Sequence, residues 1–234
     1  MSLGKVYLLP MLLHEEGWDA LPADMQKWIM QCDAFFVENE KTTRRFFKKV
    51  WKEMIIDNYI WHPIHKVEAA QINIFKSLLL QGKNIGIVSE AGCAGIADPG
   101  QILVAEAQAM GAMVKPYTAP SSILLALMAS GMNGQNFQFH GYLPIDNNDR
   151  KKKIQELEAI ANSKGTTQLF IETPYRNNQL MEAIIQYCHP QTKLCIGVEI
   201  TAPNEFIKTA TVAYWKANKP ELHKKLAVFL IGSK

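Results

Sequence analysis

Apolar and polar positions along the chain switch repeatedly between a period suited to buried strands and one suited to amphipathic helices. Residues 5–9 (KVYLL) form a short apolar run stopped by Pro10 and predict a first buried strand. Leu21, Met25, Trp28 and Ile29 have helical spacing and predict a helix over 19–31, with Asp19 as its N-cap. A strand at 34–38 and a basic amphipathic helix at 42–51 follow. The pattern then predicts a helix over 68–81 ended by Gly82, and a buried strand over 84–89. Helices over 101–110 and 121–130, closed by Gly111 and Gly131, flank a strand at 112–116, and another strand spans 137–142.

Such alternation is the pattern of a mostly parallel sheet with helices on its faces. Residues 143–153 (LPIDNNDRKKK) break it with turn formers and charge, and are the best linker candidate. Beyond them a helix is predicted over 151–162 and a strand over 167–172, then a helix over 177–187 and strands over 193–199, 205–211 and 226–231. The expected organisation is an α/β lobe at 1–142, a linker at 143–150 and a second α/β lobe at 151–234.

An apolar fraction of 48% with 20% charged residues is ordinary globular composition. A net charge of +3 permits a nucleic-acid partner without calling for one. Cys32, Cys93, Cys188 and Cys195 form no CxxC pair, and His62 and His65 lack a neighbouring carboxylate pair, so free thiols and no metal site are expected. No apolar run is long enough for a membrane span, and the N-terminus lacks a signal-peptide layout. The chain reads as soluble and cytoplasmic.

The strongest chemical feature is the loop 89–100 (SEAGCAGIADPG), placed between a strand and a helix. Ligands of open α/β sheets bind beyond the carboxyl ends of strands, glycines admit a ligand close to the backbone, and Glu90 and Asp98 supply acceptors. A tight turn with Asp98 capping the next helix is the competing reading. The loop is neither GxGxxG nor a Walker A sequence, which disfavours dehydrogenases and P-loop nucleotidases.

This loop resembles the S-D-A-G-T-P-x-I-S-D-P-G signature of the ribosomal RNA small subunit methyltransferase I family, in the tetrapyrrole methylase superfamily. Residues 37–45 (VENEKTTRR) are similar to the family's A-E-D-T-R-x-T-R-K/R, and 118–122 (TAPSS) to P-G-P-S-A. Residues 139–144 (FHGYLP) resemble F-x-G-F-L-P, followed by the basic run 150–153, and 172–176 (ETPYR) resemble E-S-P-H/Y-R. The resemblance implies a two-lobed tetrapyrrole-methylase-like fold, each lobe a mixed sheet flanked by helices. It also implies a homodimer that binds S-adenosylmethionine and methylates a ribose 2′-hydroxyl of small-subunit ribosomal RNA.

Carried over by position, Leu9, Pro10, Glu90, Gly92, Cys93, Ser121, Ser122, Ile123, Thr173 and Pro174 would contact the cofactor. Glu38 is the candidate catalytic base or orienting group. Arg44, Arg45, Arg150 and Lys151 are the candidate RNA contacts, although basic residues on a helix are also simply a solvated face. The chain departs from the family at 10–19 (PMLLHEEGWD), where the family has P-I-G-N-L-x-D, and at Glu90, Cys93 and Ala94. A methyltransferase with a small-molecule acceptor and a non-catalytic cofactor-binding relative are the alternatives.

Overall fold

The computed structural model describes residues 2–234 and all side chains in that span except those of 65–67. The chain divides into two units, Met1–Ser121 and Ser122–Lys234. The α/β fold class is borne out.

The first unit holds a five-stranded sheet in the order β3-β2-β4-β1-β5, with every neighbouring pair parallel. Its strands are β1 (Val6–Leu8), β2 (Ala34–Val37), β3 (Ile60–Pro63), β4 (Ile85–Val88) and β5 (Val114–Pro116). Its helices are α1 (Met25–Ile29), α2 (Glu40–Val50), α3 (Ile72–Leu80) and α4 (Gln101–Ala109). Strands β2 and β4 are buried throughout, as a parallel sheet covered on both faces requires. Successive residues serve opposite layers: Phe36 packs with Phe75 and Leu79, while Phe35 packs with Phe47 and Met54. Gly86 is where the sheet admits the Phe35 ring, since a Cβ there would stand 2.7 Å from it.

The second unit begins with α5 (Ser122–Ser130) and holds β6 (Phe137–Tyr142), β7 (Thr167–Ile171), β8 (Lys193–Val198), β9 (Phe206–Thr211) and β10 (Ala227–Gly232). The strand order is β6-β7-β10-β8-β9, and only β6 and β7 run parallel. Helices α6 (Asn147–Lys164), α7 (Asn177–Tyr187) and α8 (Val212–Ala217) complete it. Leu157, Phe170, Ile184, Trp215 and Phe229 form its core, and the Trp215 indole N–H donates to the Leu194 carbonyl at 2.8 Å.

Three expectations need correction. The helix expected over 19–31 is a 3₁₀ turn at Trp18–Ala20 followed by α1, with Pro22 interrupting between them, so Asp19 caps nothing. The polar stretch 143–150 is not a linker between units. Asp146 caps α6 by accepting from the Asn148 and Asp149 N–H groups, and the helix starts four residues before the expected position. Strand β6 pairs with β7, so 122–142 belong to the second unit and the division falls at Ser121. Strand β3 and helix α8 were not foreseen. Among the described residues, no helix is long and apolar enough to cross a membrane.

Candidate functional site

The connection leaving β2 runs to β3 on one side of the first sheet, and the one leaving β4 runs to β5 on the other. Such a reversal opens a crevice at the carboxyl ends of the two strands, which is where open α/β sheets place ligands. Glu38 follows β2, and Ser89 and Glu90 follow β4. The Glu38 N–H donates to the Val88 carbonyl at 3.0 Å, and the Glu90 N–H donates to the Glu38 carboxylate at 2.8 Å. Ser89 is fully buried and its hydroxyl donates to the Ala91 carbonyl, turning the chain sharply out of the sheet.

The loop after β4 holds four residues at positive φ: Gly92, Gly95, Ala97 and Gly100. For Gly92 the requirement is strict. At its φ of 63° a Cβ would stand 2.6 Å from the Pro120 carbonyl oxygen. Leu9 and Pro10 are buried at the end of β1, and Met11 N–H donates to the Gly92 carbonyl at 3.0 Å. The Cys93 thiol faces the Ala119 and Pro120 carbonyls at 3.7 and 3.6 Å, and burial followed by the charge of Asp98 pushes its pKa up. Leu9, Pro10, Glu90, Gly92, Cys93 and the segment before Ser121 are therefore gathered at one end of the sheet.

Asp98 is the electrostatic centre of this loop. Burial, then the negative charges of Glu38 and Glu90, raise its pKa to about 6. It does not cap α4. The cap comes from Glu68, whose carboxylate accepts from the Gly100 and Leu103 N–H groups, both at 3.1 Å. Sequence reasoning missed Glu68, because a carboxylate 32 positions upstream of Gly100 carries no local signal. It named Asp98 as a ligand acceptor or a helix cap and not as a carboxyl of raised pKa, since the crowding of three carboxylates is a property of the fold.

In the second unit, Ser122 and Ile123 form the first turn of α5. Thr173 and Pro174 follow β7, held by the buried Glu172. One Glu172 oxygen accepts from the Thr173 N–H at 2.7 Å and from the Arg176 guanidinium at 3.0 and 2.6 Å. The Pro174 carbonyl accepts from the Lys224 N–H at 3.0 Å. Glu199 and Thr201, at the carboxyl end of β8, have φ of 50° and 72°. Strained backbone of this kind clusters at functional sites.

The four expected RNA contacts separate into two kinds. Arg44 is committed to Glu40 at 2.6 Å and lies over the Trp61 ring at 5.0 Å, whereas Arg45 is exposed. Arg150 is buried, and Lys151 is exposed with its ammonium over the Tyr187 ring at 5.4 Å. No cluster of three or more metal-ligating side chains occurs among the described residues. His62 packs on Phe36, and the side chain of His65 lies outside the described ones.

No family model matches the chain. Among curated proteins, it is 33% identical over 208 residues to the ribosomal RNA small subunit methyltransferase I of Bacillus subtilis, covering 88% of this chain and 68% of that one. The enzyme of the same name from Vibrio cholerae is 30% identical over 173 residues, 73% of this chain. That from Mesorhizobium japonicum is 34% identical over 131 residues, 56% of this chain. The chain spans 58% and 43% of the lengths of these two relatives. Among solved structures, the methyltransferase CobJ aligns with a TM-score of 0.65 at 15% identity, over 98% of this chain and 94% of that one. A uroporphyrin-III C-methyltransferase from Thermus thermophilus, complexed with S-adenyl homocysteine, aligns at 0.60 and 11% identity, over 98% and 97%. These two likenesses carry the fold. The identity sustained over 208 residues with the Bacillus subtilis protein carries the family, and the chain belongs to the ribosomal RNA small subunit methyltransferase I family.

Proposed function

We propose that this protein is an S-adenosylmethionine-dependent methyltransferase acting on a ribose 2′-hydroxyl of small-subunit ribosomal RNA. The observation that carries the reading is the convergence of Glu38, Glu90 and Asp98 beside the glycine-rich loop of a chain in this family. The donor set fits the cofactor: carboxylates suit its sulfonium and ammonium groups and its ribose hydroxyls, and the positive-φ glycines allow close approach to the backbone. When bound, S-adenosylmethionine supplies an electrophilic methyl group.

In the first unit, Leu9, Pro10, Glu90, Gly92, Cys93 and Ser121 are the residues proposed to hold it. Asp98, with a pKa near 6, is poised to exchange a proton near neutral pH, as a ribose hydroxyl requires of a base. Glu38, held by the Glu90 N–H, adds its negative charge to the burial that raises that pKa. Arg45 and Lys151 are exposed and suited to RNA phosphates, whereas the Glu40 pairing of Arg44 supports a structural role for it. A homodimer and a cytoplasmic location belong to the same proposal.

Calorimetric titration with S-adenosylmethionine tests the cofactor, and mapping ribose methylation in ribosomal RNA from a strain lacking the gene tests the acceptor. No heat at millimolar cofactor, or an unchanged methylation map, rejects the reading.

A further inference from the structure

The basic run at the start of α6 is not uniform. Lys152 pairs with Asp149 at 3.7 Å and Lys153 with Glu156 at 2.9 Å, both on their own helix. Arg150 has no such partner among the described residues. It is 7% exposed, its terminal nitrogen is bonded only to the Asn147 side-chain oxygen, and its Nε has no hydrogen-bond partner. The neighbouring acids are engaged elsewhere: Asp146 caps the helix, Asp149 meets Lys152, and Glu182 pairs with Lys219 at 2.6 Å.

This guanidinium lines a cavity of about 400 Å³ between α6 and α7, walled also by Gln179, Glu182, Gln186 and Tyr187. A buried guanidinium outside any ion pair is expensive, and with the Glu182 carboxylate of the same wall already paired with Lys219, an anion entering the cavity would offset that cost. The first-turn position of Arg150 adds the positive end of the α6 dipole. The side-chain amides of Gln179 and Gln186 add neutral donors at the mouth, and Lys151, over Tyr187, adds a second cation.

We propose that the cavity between α6 and α7 is a phosphate subsite that receives one phosphodiester of the RNA acceptor through Arg150. The assignment to RNA rests on the function proposed above, while the phosphate chemistry does not. The planar fork of an arginine matches phosphate oxygens, and Gln179 and Gln186 complete the polar wall.

The test is the affinity of the full chain for a short fluorescein-labelled single-stranded oligoribonucleotide, read by anisotropy across salt concentrations. Arg150→Gln should weaken binding about tenfold and lower the salt slope by about one. Gln186→Glu, at an exposed position that the fold tolerates, should weaken binding comparably, and Gln186→Lys should tighten it. Unchanged affinity in both Gln186 variants overturns the proposal, whether or not the Arg150 variant folds. Inorganic phosphate, titrated against the Arg150 side-chain resonance, is the second arm. A saturable shift abolished by Gln186→Glu, together with unchanged oligonucleotide affinity, assigns the cavity to a small phosphate and overturns the RNA assignment. Absent cofactor heat in the wild-type protein would reject methyl transfer, and the oligonucleotide titrations would still decide the cavity.

Discussion

The Glu90 N–H donates to the Glu38 carboxylate at 2.8 Å, tying the turn after β2 to the loop after β4. That bond holds two carboxylates beside Asp98, and their charges add to burial in raising its pKa to about 6. Glu38→Gln keeps an acceptor for the N–H but removes one negative neighbour. The Asp98 pKa should then fall toward its ordinary value, as followed by carboxyl ¹³C resonances. The acidic limb of the methyl-transfer pH profile should move to lower pH with it, and a limb that stays in place would reject the coupling.

Asp98 also links stability to pH. Its folded pKa lies above the unfolded value of 3.8, so the folded state binds more protons between about pH 4 and 6. This group therefore favours folding at acid pH, and its contribution is lost as pH rises through about 6. Asp98→Asn should reduce the fall in melting temperature between pH 4.5 and 7.5 by about 2–4 °C, solvent screening of a half-buried carboxyl having been allowed for. The measurement is thermal unfolding of both proteins at the two pH values, and identical falls would reject it.

Gly92→Ala should cost about 2–3 kcal/mol, because positive φ is combined with a backbone oxygen 2.6 Å from the new Cβ. Gly111→Ala, where φ is 73° and nothing lies within 4 Å, should cost only about 1 kcal/mol. Denaturant midpoints distinguish the two. Equal losses would mean that the contact with Pro120 is relieved by a small movement of the loop.

Glu68→Ala should lower stability by about 1 kcal/mol, the usual value of a helix cap, and should loosen the loop end at Gly100. Glu68→Gln, which keeps an acceptor but loses the favourable charge at the α4 N-terminus, should cost about half as much. Hydrogen exchange at the Gly100 and Leu103 amides reads the cap directly.

Glu172→Ala leaves the Arg176 guanidinium partly buried without its partner and should cost about 3 kcal/mol. The double variant with Arg176→Ala should cost less than the sum of the single variants, as chemical denaturation of the four proteins would show.

Local features of this protein were legible in the amino-acid sequence because their causes are local. The apolar runs at 34–37 and 85–88 make buried strands in any parallel sheet, and Gly82, Gly111 and Gly131 each take the positive φ that ends a helix. The loop 89–100 could be recognised as a candidate site from its glycines and its place after a strand. Pro22, by contrast, broke a helix that apolar spacing alone predicted. The pairing of β6 with β7 put residues 122–142 in the second unit, although the polar run after them looked like a boundary. Which carboxylate caps α4, and why burial and the charge of Glu38 raise the Asp98 pKa, depend on residues tens of positions apart. Hydrophobic periodicity and backbone conformation are set by near neighbours, whereas charge crowding, capping at a distance and the burial of Arg150 exist only once the strands and helices have packed.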